Sequence, residues 1–189
     1  MPETGYSHAG LGFGFEVPQG WTLDLDSANP RFPVIISMRS NTERIMVAIR
    51  ATLTVNSAER ATSMKDELAA RGIDAKPVAA ALSFPGTGNV ATVEFQIGGQ
   101  QQQWISMVTN GVEFSFTHTG SYEIVRKGLE HIAATFRMPQ AEQARQFLIA
   151  RAPQSPQARA EDLERMSHFQ RVAARFNVPP AKRPGKRSE

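Results

Sequence analysis

No cysteine occurs among the 189 residues, which excludes disulfides, thiolate catalysis and cysteine-ligated metals. No apolar run approaches the roughly 20 residues that cross a bilayer as a helix. The opening decapeptide MPETGYSHAG has neither a basic region nor an apolar stretch. Neither a secretory signal nor a lipid anchor is therefore expected, and the cytoplasm is the expected compartment. What remains is ordinary for a water-soluble globular chain, with 41% hydrophobic and 21% charged residues.

The clearest structural signal lies in Val90 to Gly120, VATVEFQIGGQQQQWISMVTNGVEFSFTHTG. It reads as three antiparallel strands joined by two tight turns. Asn110-Gly111 suits a type I′ turn, in which both central residues need φ > 0. A two-residue turn there pairs Thr109 with Val112, Met107 with Phe114 and Ile105 with Phe116, so that turn and apolar pattern agree. At Gly98-Gly99 the loop length decides which residues share a face. A two-residue loop puts Val93 and Phe95 with Trp104, opposite Phe114 and Phe116. A bulged Gly98-Gly99-Gln100 loop gathers Val93, Phe95, Ile105, Met107, Phe114 and Phe116 into one core, and is the expected arrangement. Trp104 and Val108 then lie on the opposite face.

Upstream, Phe13, Phe15 and Val17 alternate with Gly12, Gly14 and Glu16, as do Trp21, Leu23 and Leu25 after the Pro18-Gln19-Gly20 turn. PVIISMR suits a buried strand. Ile45, Val47, Ile49, Ala51, Leu53 and Val55 predict one long strand. Asn56 and Glu59 predict a capped helix start, Ala61, Met64, Lys65 and Leu68 its side, and Gly72 its end. A strand is expected over Val78 to Phe84. A second helix follows Ser121, with a stripe of Ile124, Val125, Leu129, Ile132, Ala133 and Phe136 facing the sheet.

Pro139 marks the expected end of the compact domain, giving a domain over 11–139, a helical extension over 140–177 and a disordered basic tail over 178–189. AEQARQFLIAR is a short helical piece. Ser155-Pro156 opens a second, amphipathic one, on which Leu163, Met166, Phe169, Val172 and Phe176 recur at three or four residues. From Gln140 onward there are ten Lys/Arg and five Asp/Glu, a net +5; residues 1–139 hold eleven and thirteen, a net −2. A basic tail can bind nucleic acid or acidic surfaces. It contains no Trp or Tyr, a thin set for base stacking.

Chemistry-bearing motifs fail one by one. Asp24, Asp26 and Asn29 glance at a calcium loop, which would need an oxygen ligand at Ala28, glycine at Asn29 and glutamate at Ile35. Gly10, Gly12 and Gly14 lack both the last glycine and the helix of a dinucleotide fingerprint. Gly86-Thr87-Gly88 lacks the lysine of a phosphate loop. Gly98-Gly99-Gln100 repeats a release-factor tripeptide, but at a hairpin tip it reads as a turn. His8, His118, His131 and His168 fall on separate elements without metal spacing, and His118 extends the Phe114/Phe116 face as a core-edge residue. No catalytic residue, metal or cofactor is expected.

The order strand-Pro-x-Gly-Trp-strand, buried strand, long strand, helix, strand, three-strand meander and closing helix resembles the PsbP/DcrB-like family. Phe15-Glu16-Val17-Pro18-Gln19-Gly20-Trp21 and Ile132-Ala133-Ala134-Thr135-Phe136 carry the resemblance, over about residues 11–139. The family includes photosystem II PsbP, a Ran-binding nuclear import factor, DcrB-like proteins and effector chaperones of type VI secretion. The resemblance implies an α+β fold, an antiparallel sheet of six or seven strands with helices packed on it, in an α/β/α sandwich that binds proteins without catalysis. The expected function is a cytoplasmic adaptor or chaperone that shields an apolar helix of a secreted effector. Trp104, Val108, Leu163, Met166, Phe169, Val172 and Phe176 are the expected partner-binding residues, and a homodimer is a further outcome. The alternatives are a small-molecule- or nucleic-acid-binding protein using the basic tail, or an envelope- or photosystem-associated PsbP-like accessory protein.

Overall fold

The computed structural model describes residues 5–27, 32–53, 56–86 and 89–151. A seven-stranded antiparallel sheet runs in the order β3 (Thr22–Ser27), β4 (Val34–Ser40), β5 (Glu43–Ala51), β9 (Val112–Thr119), β8 (Gln100–Thr109), β7 (Asn89–Ile97), β6 (Ala75–Val78). β1 (Gly5–Ser7) and β2 (Gly14–Glu16) form a separate two-stranded sheet. Helices α2 (Tyr122–Thr135) and α3 (Ala141–Arg151) contribute to the core on one face, and α1 (Ser57–Ala69) packs on the other. The result is the expected α/β/α sandwich.

The Asn110-Gly111 turn has φ of 48° and 75°, the left-handed pair a type I′ turn needs. Its register pairs Thr109 with Val112, Met107 with Phe114 and Ile105 with Phe116, as expected. At Gly98-Gly99 the expectation fails. Ile97 pairs with Gln100 and Val93 with Trp104, so the loop has two residues, both at positive φ. The physical reason is that the sheet has two apolar faces rather than one. Ile105, Met107, Phe114 and Phe116 join Ile36, Met38, Ile45, Val47 and Ile49 under α2 and α3. Val93, Phe95, Ile97 and Trp104 form a second core with Ala61, Met64 and Leu68 of α1.

Asn56 caps α1 by accepting from the Ala58 and Glu59 backbone N–H groups at 2.8 and 3.4 Å, which satisfies two orphan donors of the first turn. On α2, Gly128 permits close approach: a Cβ there would stand 3.1 Å from Ile45 Cδ1 and 3.3 Å from the Trp21 ring. Ile124 of the expected stripe is 46% exposed, whereas Val125, Leu129, Ile132, Ala133 and Phe136 are buried.

Three further expectations are corrected. The long strand ends at Ala51; Leu53 is 90% exposed, and Val55 lies outside the described residues. In place of the strand expected over Val78 to Phe84, β6 covers Ala75–Val78 and ends where that strand was to begin. Beyond Val78 the chain leaves the sheet, and Leu82 and Phe84 enter the main core, Phe84 against Phe116 and Phe136. The compact unit also runs past Pro139, because Ala144 and Leu148 of α3 are fully buried in that core.

Both faces being core, Phe116→Ala and Trp104→Ala should each cost about 3–5 kcal/mol. Denaturant melts of the two variants check this, and a Trp104→Ala loss under 1 kcal/mol would show that the second core contributes little.

Candidate functional site

Of the residues expected to bind a partner, Trp104 and Val108 lie on the α1-bearing face, but neither is open. Trp104 is 1% exposed and Val108 is buried. The indole is covered because Arg60 of α1 places its guanidinium 5.0 Å from the ring centre, and its Nε1 donates to Ser115 Oγ at 2.6 Å. The tryptophan is therefore a core residue, and its expected role as an exposed contact is corrected. Leu163, Met166, Phe169, Val172 and Phe176 lie outside the described residues.

The α1-bearing face has a polar centre. Cross-strand pairing brings Arg50 of β5 opposite Glu113 of β9, and α1 drops Arg60 onto the same carboxylate. Arg50 Nε donates to Glu113 Oε2 at 2.6 Å; Arg60 Nε at 2.5 Å and Ser106 Oγ at 2.7 Å donate to Oε1. Glu113 is wholly buried and Arg60 is 3% exposed. Burial pushes the Glu113 carboxyl up, but the two guanidiniums and the Ser106 hydroxyl outweigh it and hold the group below the ordinary range. Burial lowers the Arg60 pKa against the pull of Glu113. Arg50 also lies over the Phe32 ring at 5.3 Å.

Further along, this face divides. α1 packs on β6, β7 and β8. Across β4, β5 and β9 the same face presents Ile35, Ala48 and Ser115 in one row and Ser37, Met46 and Thr117 in the next. Apart from Met46 and Ile35 these are small side chains, a shallow bed rather than a ridge. Phe32 rests on Ile35 and Ala48.

His118 sits on the opposite face, where sequence alternation put it. The β8–β9 ladder stops at Ile105–Phe116, while β9 stays paired with β5 up to Thr119. The imidazole fills the split: Nε2 accepts the Gln103 backbone N–H at 3.1 Å, taking the place of a strand carbonyl. Burial lowers its pKa from 6.5 to about 4, which keeps it neutral and able to accept. A groove of about 460 Å³ lies at the end of α1, between Ile73–Lys76 and Glu94–Gln101, and the Lys76–Glu94 pair is part of its lining. Among the described residues no group of three His, Asp or Glu side chains could hold a metal ion. Asp24, the first acid of the calcium-like run, pairs instead with Arg44 at 2.9 Å and Arg39 at 3.5 Å.

Sequence reasoning missed the Arg50–Glu113–Arg60 cluster. Its one signal was that Arg50 and Glu113 take opposite charges at the off-series positions of strands that prove to be neighbours, which becomes legible only after strand order is known.

No protein-family model matches the chain, and no characterised protein matches it in sequence. Among solved structures, it is similar to cyanobacterial PsbP (CyanoP) from Synechocystis sp. PCC 6803, with a TM-score of 0.50 and 16% identity, over 71% of this chain and 91% of that one. At that identity the likeness shows the fold.

Acid should separate the two buried sites. His118 is neutral in the fold, so the unfolded chain binds more protons between pH 6.5 and about 4. Stability is complete above that window and falls by roughly 3 kcal/mol as pH drops through it. Glu113, with its lowered pKa, contributes stability that is complete above the ordinary carboxylate range and lost below it. Urea melts across pH 4–7 should show the first loss, and His118→Gln, which keeps an acceptor, should flatten it. Glu113→Gln should cost roughly 3–5 kcal/mol at pH 7, because it strands two cations.

Proposed function

We propose that this chain is a non-catalytic, protein-binding accessory module: a cytoplasmic adaptor or chaperone that takes an apolar helix of a protein partner, such as a segment of a secreted effector. The observation that carries this reading is the divided sheet face. α1 packs chiefly on β6, β7 and β8 and reaches β9 through Arg60, while β4, β5 and β9 present Ser37, Ala48, Ser115 and Thr117 beside Ile35 and Met46. Small side chains on a sheet let a helix approach closely, and the flanking apolar groups supply the area it buries. The PsbP-like fold supports a scaffold role, since folds of this kind carry function in grafted surfaces. Two buried ionisable groups also point inward: Glu113 is held by three donors, and His118 is committed to a backbone N–H. A catalytic acid or base has to face substrate. No described helix is long and apolar enough to cross a membrane.

Site-resolved photocrosslinking tests the reading. A benzophenone residue at Arg39 or Arg44, which flank the bed, should capture the same protein in native cells, and one at Arg126 on the outer side of α2 should not. Identical adducts from all three positions, or none from Arg39 and Arg44, would remove the bed as a binding surface.

A further inference from the structure

We infer that the segment after β6, residues 79–84, is a strap that lifts off the main core while the sheet stays folded, and that its opening bares an apolar floor around Phe116 and Phe136. The inference goes beyond the helix-receiving reading, since the strap lies on the other face of the sheet.

On that face α2 and α3 pack chiefly over β2, β5 and β9. Ile105 and Met107 of β8 are nonetheless buried in the same core. Part of the roof is the strap. Phe84 lies 5.3 Å from Phe116, which pairs across the ladder with Ile105, and meets Phe136 edge-on at 5.8 Å. Leu82 joins the same cluster. Ala81, Ser83 and Pro85 are exposed, so side chains alternate inward and outward as they would on a strand. Yet among the described residues no strand pairs with this segment.

From Ala79 to Ser83 no group hydrogen-bonds to another described residue, so this backbone is left to water. Two buried side chains, Leu82 and Phe84, are its anchors. β6, from which the strap departs, is a four-residue strand at the edge of the sheet. At the other end Pro85-Gly86 turns the chain, with Gly86 at a φ of 79°. A segment with few buried contacts and no hydrogen bonds opens at lower cost than the sheet it covers. The floor it leaves is shaped for its present occupant, two apolar side chains two residues apart with a polar one turned to water between them. An extended segment of a protein partner with that pattern fits the same floor, so the strap is an internal competitor for it.

The absence of cysteine permits a direct test on the full chain. Leu82→Cys in the strap and Val47→Cys in β5 each place one thiol in the main core. With excess dithionitrobenzoate, Leu82→Cys should react about tenfold or more faster than Val47→Cys, at a rate that stays flat in urea below the unfolding transition. Val47→Cys should react only as the whole chain unfolds, at a rate that climbs with urea. The bulky adduct on Leu82→Cys holds the strap out, so circular dichroism should stay that of the folded sheet while the fluorescence of an apolar dye rises severalfold. A synthetic peptide of residues 79–86 should then bring the dye signal back down. Equal rates with equal urea dependence at the two positions would overturn the strap, and so would loss of the folded signal on labelling. A peptide that leaves the dye in place would overturn the floor as a site for an extended segment.

Discussion

β9 is buried along all eight of its residues. A strand in that position tolerates neither an unpaired backbone edge nor an uncovered face. Pairing with β5 and β8 meets the first demand over most of its length, and where β8 diverges the His118 ring supplies the missing acceptor. The second demand is met differently on each side. Toward α2, Phe114 packs edge-on against Phe13 and Phe136, while Phe116 packs against Phe84. These rings come from the β1–β2 hairpin, the end of α2 and the segment after β6, so distant pieces of chain meet over this strand. Toward α1, β9 offers Glu113, Ser115 and Thr117, and there burial demands partners rather than bulk.

The partners explain how α1 is positioned. Its apolar contribution is only Ala61, Met64 and Leu68, a narrow stripe that several helix rotations could bury almost equally well. Arg60 removes that freedom, since only one rotation brings its guanidinium to Glu113 and over Trp104. Buried ion pairs seldom add net stability, because desolvation offsets much of the attraction. Well-packed apolar residues at Arg50, Arg60 and Glu113 could match the natural stability. What such a replacement would lose is the fixed seat of the helix. The cluster is therefore read as a positioning device rather than a source of stability.

The parts of this fold that were legible in the sequence were those where two local signals agree. Asn110-Gly111 demands a left-handed pair and also sets Ile105, Met107, Phe114 and Phe116 on one face; Asn56 accepts N–H groups while Gly72 ends the same helix. At Gly98-Gly99 the turn chemistry pointed to two residues, and the search for a single core overrode it. A sheet covered on both faces has two cores, and Val93 and Phe95 belong with Trp104 in the second. Leu53 shows the opposite limit: alternation continues in the residues after the strand has left its partners. The Arg50–Glu113–Arg60 cluster was beyond reach for a topological reason. Arg50 stands 63 residues from Glu113 and Arg60 stands 53, and nothing local to any of them announces the strand order that joins them.

That order also bears on where recognition can occur. The ion pair that seats α1 reaches across to β5 and β9, and beyond it the same face continues in small side chains, a surface of shape rather than charge. Ser, Ala and Thr at alternate positions keep such a surface shallow, so a helix can lie close to the strands. Among the described residues, the charges of this face are already engaged: Glu113 is paired with Arg50 and Arg60, and Arg39 and Arg44 at the far edge are tied to Asp24. In the proposed reading, a partner helix is then chosen by how well its apolar stripe fits a shallow surface, since close packing is what such a surface rewards.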